Sequence, residues 1–334
     1  MSSLKEAIKV GNQEIKNRLV MAPIALGKSN AGKVSQELLD YYDERTESGC
    51  VGLVVIEHSF VRADGRASEN QLSVADDSDI EGLSKLAETI HKNGSKAVMQ
   101  ISHAGAAAKK GVVLAETISP SGIANPNKAL GVGELQDTHE MSQSEIDEII
   151  DAFAQAAVRV KKAGFDGVEL HSAHGYLLNQ FYSPLTNKRT DSYNGTSIDG
   201  RIKLHLQIIN AVREKVGSDY LLGMRLGGCD YMDGGSTIDD AVEAASKLTA
   251  AGLDFMDMSG GMCFFMRAGH NEAGYFGDLS KAVKDTVSVP VIVAGGVKSA
   301  EDAEQLLCEN VADMIAVGRP ISQNAAWARE EMNK

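Results

Sequence analysis

Short apolar runs alternate with longer amphipathic stretches along the whole chain. Eight runs are almost wholly apolar and rich in β-branched residues: Leu19–Ala22, Gly52–Glu57, Ala97–Ile101, Gly167–Leu170, Leu221–Arg225, Phe255–Met258, Val289–Ala294 and Met314–Val317. Unbroken runs of this length predict strands buried on both faces, as in an all-parallel sheet. Between them, Gln36–Ser48, Ile80–Lys92, Ser144–Ala163, Gly200–Val216, Ile238–Ala250 and Ala300–Cys308 carry apolar positions spaced near 3.6 residues and predict helices. Ser142-Gln143-Ser144-Glu145 has the pattern of a capping box, and Ser299 with Asp302 repeats it. Lys161-Lys162-Ala163-Gly164 and Ala250-Ala251-Gly252 read as helix stops. Eight strands interleaved with helices predict an α/β fold, a single (β/α)8 TIM barrel over residues 1–334. Three connections, 102–143, 171–196 and 259–276, are too long for simple turns. Each follows a strand, on the face where such barrels build active sites. Much of 120–140 reads as a solvated insertion.

Candidate chemistry concentrates at the strand ends. The run Gly167–Leu170 leads into His171-Ser172-Ala173-His174-Gly175-Tyr176. Two imidazoles can hydrogen-bond one carbonyl oxygen, and a phenol can deliver a proton nearby. Either histidine alone reads as a satisfied core residue. The three groups together, just past a strand end, read as catalytic. The seventh and eighth runs end in Gly295-Gly296 and Gly318-Arg319. Glycine lets backbone N–H groups approach a phosphate, Arg319 adds a charged fork, and barrels of this kind bind phosphate there. No glycine-rich dinucleotide fingerprint opens the chain, which argues against a Rossmann domain. Gln100 and Arg225 sit at expected strand ends. A buried arginine must have a partner, either a bound electron-rich ring or a neighbouring glutamate. Lys188-Arg189-Thr190-Asp191-Ser192-Tyr193 reads as structural, an Arg–Asp pair fixing the long loop.

Composition narrows the partners. The 334 residues carry a net charge of −13, which disfavours nucleic acid and anionic membranes. Four dispersed cysteines form no C-x-x-C pair, so no zinc or iron–sulfur site is signalled, and they suit a reducing compartment. No apolar stretch approaches a membrane span and no signal region opens the chain, which predicts a soluble, cytoplasmic protein.

Taken together, these segments resemble the Old Yellow Enzyme family of FMN-dependent ene reductases, particularly the bacterial branch that includes the 2,4-dienoyl-CoA reductases. The resemblance runs from Asn17-Arg18-Leu19-Val20-Met21-Ala22-Pro23 to Gly318-Arg319-Pro320, about nine-tenths of the chain. Its most specific part is Gly164 to Arg201, which holds G-F-D-G-V-E-L-H-S-A-H-G-Y-L-L-N-Q-F and S-P-L-T-N-K-R-T-D-S-Y. The resemblance implies an FMN-binding domain with assigned roles. Ala22, Pro23, Ile24 and Ala25 would line the flavin, and His58 would contact it after the second strand. Gln100 would bond the pyrimidine edge, and Arg225 would sit near N1 and O2. Gly295, Gly296, Gly318 and Arg319 would hold the phosphate. His171 and His174 would grip the substrate carbonyl, and Tyr176 would be the proton donor. The implied reaction is ping-pong: NADH or NADPH reduces the flavin, and flavin N5 then returns hydride to the β-carbon of an α,β-unsaturated carbonyl compound. Relatives suggest a homo-oligomer.

Several positions depart from the family pattern. Ala25 stands where a Cys or Thr often tunes the flavin. Gly27 stands where some relatives place a substrate-facing Tyr, which implies a roomier pocket. His58 replaces a small residue, and Asn194 and Gly200 interrupt the usual stretch before Arg201. The longer dienoyl-CoA reductases continue into iron–sulfur and nucleotide-binding segments. The chain ends at Lys334 without them, so electrons are expected directly from a bound nicotinamide. Two other readings fit the same residues: a flavin-free, phosphate-binding lyase or isomerase, and a non-catalytic flavin or electron-transfer protein.

Overall fold

The computed structural model describes residues 3–113, 116–124, 126 and 136–334. Eight parallel strands close into a barrel: β1 (Leu19–Met21), β2 (Leu53–Phe60), β3 (Lys96–Ser102), β4 (Gly167–Ser172), β5 (Leu221–Cys229), β6 (Phe255–Gly260), β7 (Val291–Ala294) and β8 (Met314–Val317). Each strand pairs with the next in sequence, and β8 pairs with β1. The helices are α1 (Gln36–Thr46), α2 (Ile80–His91), α3 (Gln143–Lys162), α4 (Leu177–Tyr182), α5 (Ile198–Val216), α6 (Ile238–Ala250), α7 (Gly277–Lys284), α8 (Ala300–Cys308), α9 (Arg319–Gln323) and α10 (Trp327–Met332). The expected capping boxes close the N-termini of α3 and α8, and Thr237 with Asp240 makes a third at α6. Among the described residues no helix is long and apolar enough to cross a membrane.

Strand alternation sorts the barrel interior from the shell. Val20, Leu53, Val55, Val98, Leu221, Phe255, Ile292 and Met314 form one buried cluster, joined by Val10 and Ile15 of an N-terminal hairpin. Gly223 makes room for this plug, since a Cβ there would overlap the Phe255 ring. Higher along the same strands the inward residues turn polar, and that change of character positions the site.

Three placements differ from the sequence expectation. His171 lies inside β4 and His58 inside β2, rather than beyond them. Arg225 is mid-strand, because β5 continues through Gly227 and Gly228 to Cys229. Those glycines let the strand press on its neighbours: a Cβ on Gly227 would lie 2.7 Å from Gly260 O, and one on Gly228 would lie 2.8 Å from Ala241 Cβ. The 102–143 connection is also less solvated than expected. Thr117–Ser119 is buried and pairs with Thr138–Glu140. Arg189 donates to Pro120 O at 2.9 Å and Met141 O at 2.7 Å while pairing with Asp191 at 2.6 Å, so the expected Arg–Asp element clamps two loops together. Residues 127–135 of the expected insertion lie outside the described residues.

Asn194 and Gly200 pack against each other. A Cβ on Gly200 would overlap the Asn194 carbonyl oxygen and lie 2.7 Å from its side-chain nitrogen, and Asn194 Oδ1 accepts the N–H groups of Thr196 and Ser197 just before α5. Gly200→Asn alone is expected to cost about 1–3 kcal/mol in urea unfolding through overpacking. Adding Asn194→Gly should recover part of it, a non-additivity that a double-mutant cycle reads directly. Additive losses would mean that the two positions are independent.

Candidate active site

A tier of polar side chains rests on the apolar plug. Gln100, Glu169 and Gly223 are register neighbours on β3, β4 and β5, and His171, Arg225 and Asp257 are register neighbours on β4, β5 and β6. Gln100 Nε2 donates to Glu169 Oε1 at 2.7 Å. Arg225 Nε lies 3.4 Å from Asp257 Oδ2. The partner supplied by the protein is therefore an aspartate, with Glu169 near enough to feel the charge. One guanidinium faces two buried carboxyls. Burial raises the pKa of Glu169, helped by the Asp257 charge and opposed by Arg225; burial also raises that of Asp257, again opposed by Arg225. Among the described residues, Arg225 Nε, Glu169 Oε2, Asp257 Oδ1 and His171 Nδ1 have no hydrogen-bond partner and are buried. Glu57 on β2 accepts the Leu26 N–H at 2.5 Å, and burial lifts its pKa to about 7. Sequence reasoning missed Glu57, Glu169 and Asp257 as site residues. Their signal was an acid inside an otherwise apolar strand run, where a carboxyl must find a partner.

The histidine and tyrosine expected to act together do meet. The ring centroids of His171 and His174 lie 5.1 Å apart, and those of His171 and Tyr176 lie 4.9 Å apart. His174 is held in the left-handed region, φ 58°, with Nε2 2.7 Å from Ser259 Oγ. Tyr176 precedes α4, whose Asn179 accepts the Gly175 N–H at 2.8 Å and whose Gln180 donates to Gly175 O at 2.7 Å. These bonds fix the turn that carries both side chains. Burial drives both histidine pKa values well below the ordinary range, with neighbouring histidines and Arg225 adding to it, so both rings are neutral at pH 7. Burial pushes the Tyr176 phenol up to about 12. His58 joins this cluster: its ring centroid lies 5.2 Å from Tyr176 and 6.0 Å from His171.

The glycine-rich ends lie on adjacent strands, as expected. Gly295 and Gly296 follow β7 with φ 126° and 71°, and a Cβ on Gly296 would overlap the Glu272 carbonyl oxygen, so only glycine fits. Gly318 follows β8, and a Cβ there would lie 3.2 Å from Ile24 Cδ1. Arg319 is exposed, and its charge is near enough to Tyr275 to oppose the rise that burial gives that phenol's pKa. Ala22, Pro23, Ile24 and Ala25 follow β1, and the Ala22 N–H donates to Val317 O at 3.0 Å. Among the described residues nothing lies within 4 Å of a Cβ on Gly27, but its φ is 65°, so a tyrosine at this position needs a different backbone.

A flavin mononucleotide suits this donor set. Buried Arg225 Nε, which makes no hydrogen bond among the described residues, and the amide of Gln100 offer donors to a polar ring edge, and the glycine backbone after β7 and β8 carries no side chain to keep its N–H groups from a phosphate. The model of the NADH:flavin oxidoreductase / NADH oxidase family matches residues 3–333. An NADH oxidase of Thermoanaerobacter brockii is 38% identical over 331 residues, 96% of this chain and 49% of that protein, so the chain spans about half its length. An NADPH dehydrogenase of Halalkalibacterium halodurans is 35% identical over 318 residues, 95% of this chain and 90% of that one. The solved structure of an old yellow enzyme homologue from Zymomonas mobilis superposes with a TM-score of 0.87 at 25% identity, over 99% of this chain and 92% of that one. The chain belongs to the NADH:flavin oxidoreductase / NADH oxidase family, the Old Yellow Enzyme family, whose cofactors are FMN and NAD(P)H.

Proposed function

We propose that residues 1–334 form one FMN-binding domain that reduces the activated C=C bond of an α,β-unsaturated carbonyl compound. The observation that carries this reading is the convergence of His171, His174 and Tyr176 beside Arg225. Membership of a flavin family sets aside the flavin-free lyase or isomerase. Gln100 and Arg225 would hold the ring edge, Ala22–Ala25 its face, and Gly295, Gly296, Gly318 and Arg319 the phosphate. When bound, FMN carries hydride from NAD(P)H to the substrate β-carbon. His171 and His174 bind the carbonyl oxygen as neutral donors, which favours the negative charge that develops there. Tyr176 gives its proton to the α-carbon, so one hydride and one proton saturate the bond. Gly27 leaves the space above the site open to a bulky substrate.

The test is a His171→Ala/His174→Ala double variant in stopped flow. We expect NAD(P)H still to bleach the flavin, while reduction of cyclohexenone falls by about 10²–10³-fold. Reduction at the parent rate would overturn the assignment.

A further inference from the structure

His58 is the member of the histidine–tyrosine cluster to which the reaction above gives no task. Its ring is tied down on one side. Gln71 Oε1 accepts the Ala67 N–H at 2.7 Å, and Gln71 Nε2 donates to the His58 carbonyl at 3.0 Å and reaches Ser102 Oγ at 3.3 Å. Two backbone groups therefore fix which end of the Gln71 amide is nitrogen. That nitrogen lies 2.7 Å from His58 Nδ1. Facing an N–H donor, Nδ1 must present its lone pair, so the single hydrogen of the neutral imidazole sits on Nε2. Nε2 lies 3.5 Å from the Tyr176 oxygen. Such a contact is long without substrate, and bonds of this kind shorten in the reacting complex.

We infer that His58 is a positioning residue for Tyr176, its Nε2–H directed at the phenol oxygen by Gln71. The inference rests on Tyr176 being the proton donor. The N–H occupies a lone pair of the phenol oxygen, so the phenol hydrogen turns elsewhere, toward the side of the ring where His171 and His174 gather. As the O–H bond breaks and a C–H bond forms at the α-carbon, the electron pair stays on oxygen. The phenolate then accepts the His58 N–H bond, and water returns the proton once product has left. Burial makes that phenolate costly, and a donor in hydrogen-bond reach offsets part of the cost. The groups facing Tyr176 are His58 and His171, with His174 and Arg225 behind them. Burial, with the Arg225 charge second, holds the His58 pKa near about 4, so it faces Tyr176 as a neutral donor.

Two measurements on the FMN-loaded enzyme test this. The first is 15N NMR of histidine-labelled protein, with His58 assigned from the signal lost in His58→Phe. The expected signature is a protonated Nε2 and an unprotonated Nδ1, with the Nε2 signal moving in Tyr176→Phe. A proton on Nδ1 would overturn the inference. The second is the enone half-reaction. His58→Phe keeps a ring but no donor, and should slow it by about 10–100-fold. His58→Gln restores an N–H and should recover most of that loss. A parent rate in His58→Phe, or equal rates in the Phe and Gln variants, overturns the role of His58 while Tyr176→Phe remains slow. A parent rate in Tyr176→Phe overturns the proton donor itself, and this inference with it.

Discussion

Tyr176→Phe is expected to slow enone reduction by about 10²–10⁴-fold while NAD(P)H reduces the flavin at nearly the parent rate. The substitution keeps the ring packed 4.9 Å from His171 and 5.2 Å from His58 and removes only the hydroxyl. The hydroxyl matters to one half-reaction alone, because only saturation of the C=C bond consumes a proton at carbon. Acidity gives an independent check. Burial raises the phenol to about 12, so Tyr176 stays protonated across neutral pH. Enone reduction should not lose its proton donor until the pH rises toward that value, and the histidines add no neutral-range step because burial keeps both neutral. Stopped flow on the two half-reactions across about pH 5–8, where protein stability is usually greatest, reads both points. Equal slowing of both half-reactions would make Tyr176 a structural residue. No slowing of the second would mean that water protonates the α-carbon.

The barrel was legible because its strands are buried on both faces and so appear as bare apolar runs, and because Ser142 and Ser299 advertise their helix starts. Helix α4 was not legible: all six of its residues are buried, so it has no polar face to set a period. Strand ends were read short for a related reason. β4 continues past its apolar run through the polar His171 and Ser172, and β5 continues past Arg225 through Gly227 and Gly228, glycines whose value lies in strand contact. The groups proposed to bind the carbonyl and to give the proton were readable as a string, His171 to Tyr176. The acids that flank Arg225 come from two other strands, β4 and β6, and only pairing of those strands with β5 brings them together. His58 shows the same limit: its substitution for a small residue was visible, but its tie to Gln71 was not.

Arg225→Met is expected to have the largest effect on stability, about 3–5 kcal/mol, because it strips the facing cation from a buried acidic pair. Arg225 is 5% exposed, and Asp257 and Glu169 are more deeply buried still. Methionine fills much of the volume, so most of the loss is electrostatic. The sign with pH follows from the carboxyls. Burial already raises both pKa values above their unfolded values, and Arg225 is the group that opposes the rise. Without it they rise further. The folded state then penalises the charged forms more, so the deficit relative to parent is greatest at neutral and higher pH. It shrinks as pH falls through the parent's folded values, about 8 for Glu169 and about 6 for Asp257, below which both acids are neutral in parent and variant alike. Urea unfolding of parent and variant at several pH values measures this. Asp257→Asn in the Arg225→Met background should recover part of the neutral-pH loss, since it removes one of the stranded charges. A loss that is independent of pH and unaffected by Asp257→Asn would assign the cost to packing alone. The same variant should also retain FMN poorly, because Arg225, whose Nε is ion-paired with Asp257 but makes no hydrogen bond, is the cation that the buried tier offers to a ligand.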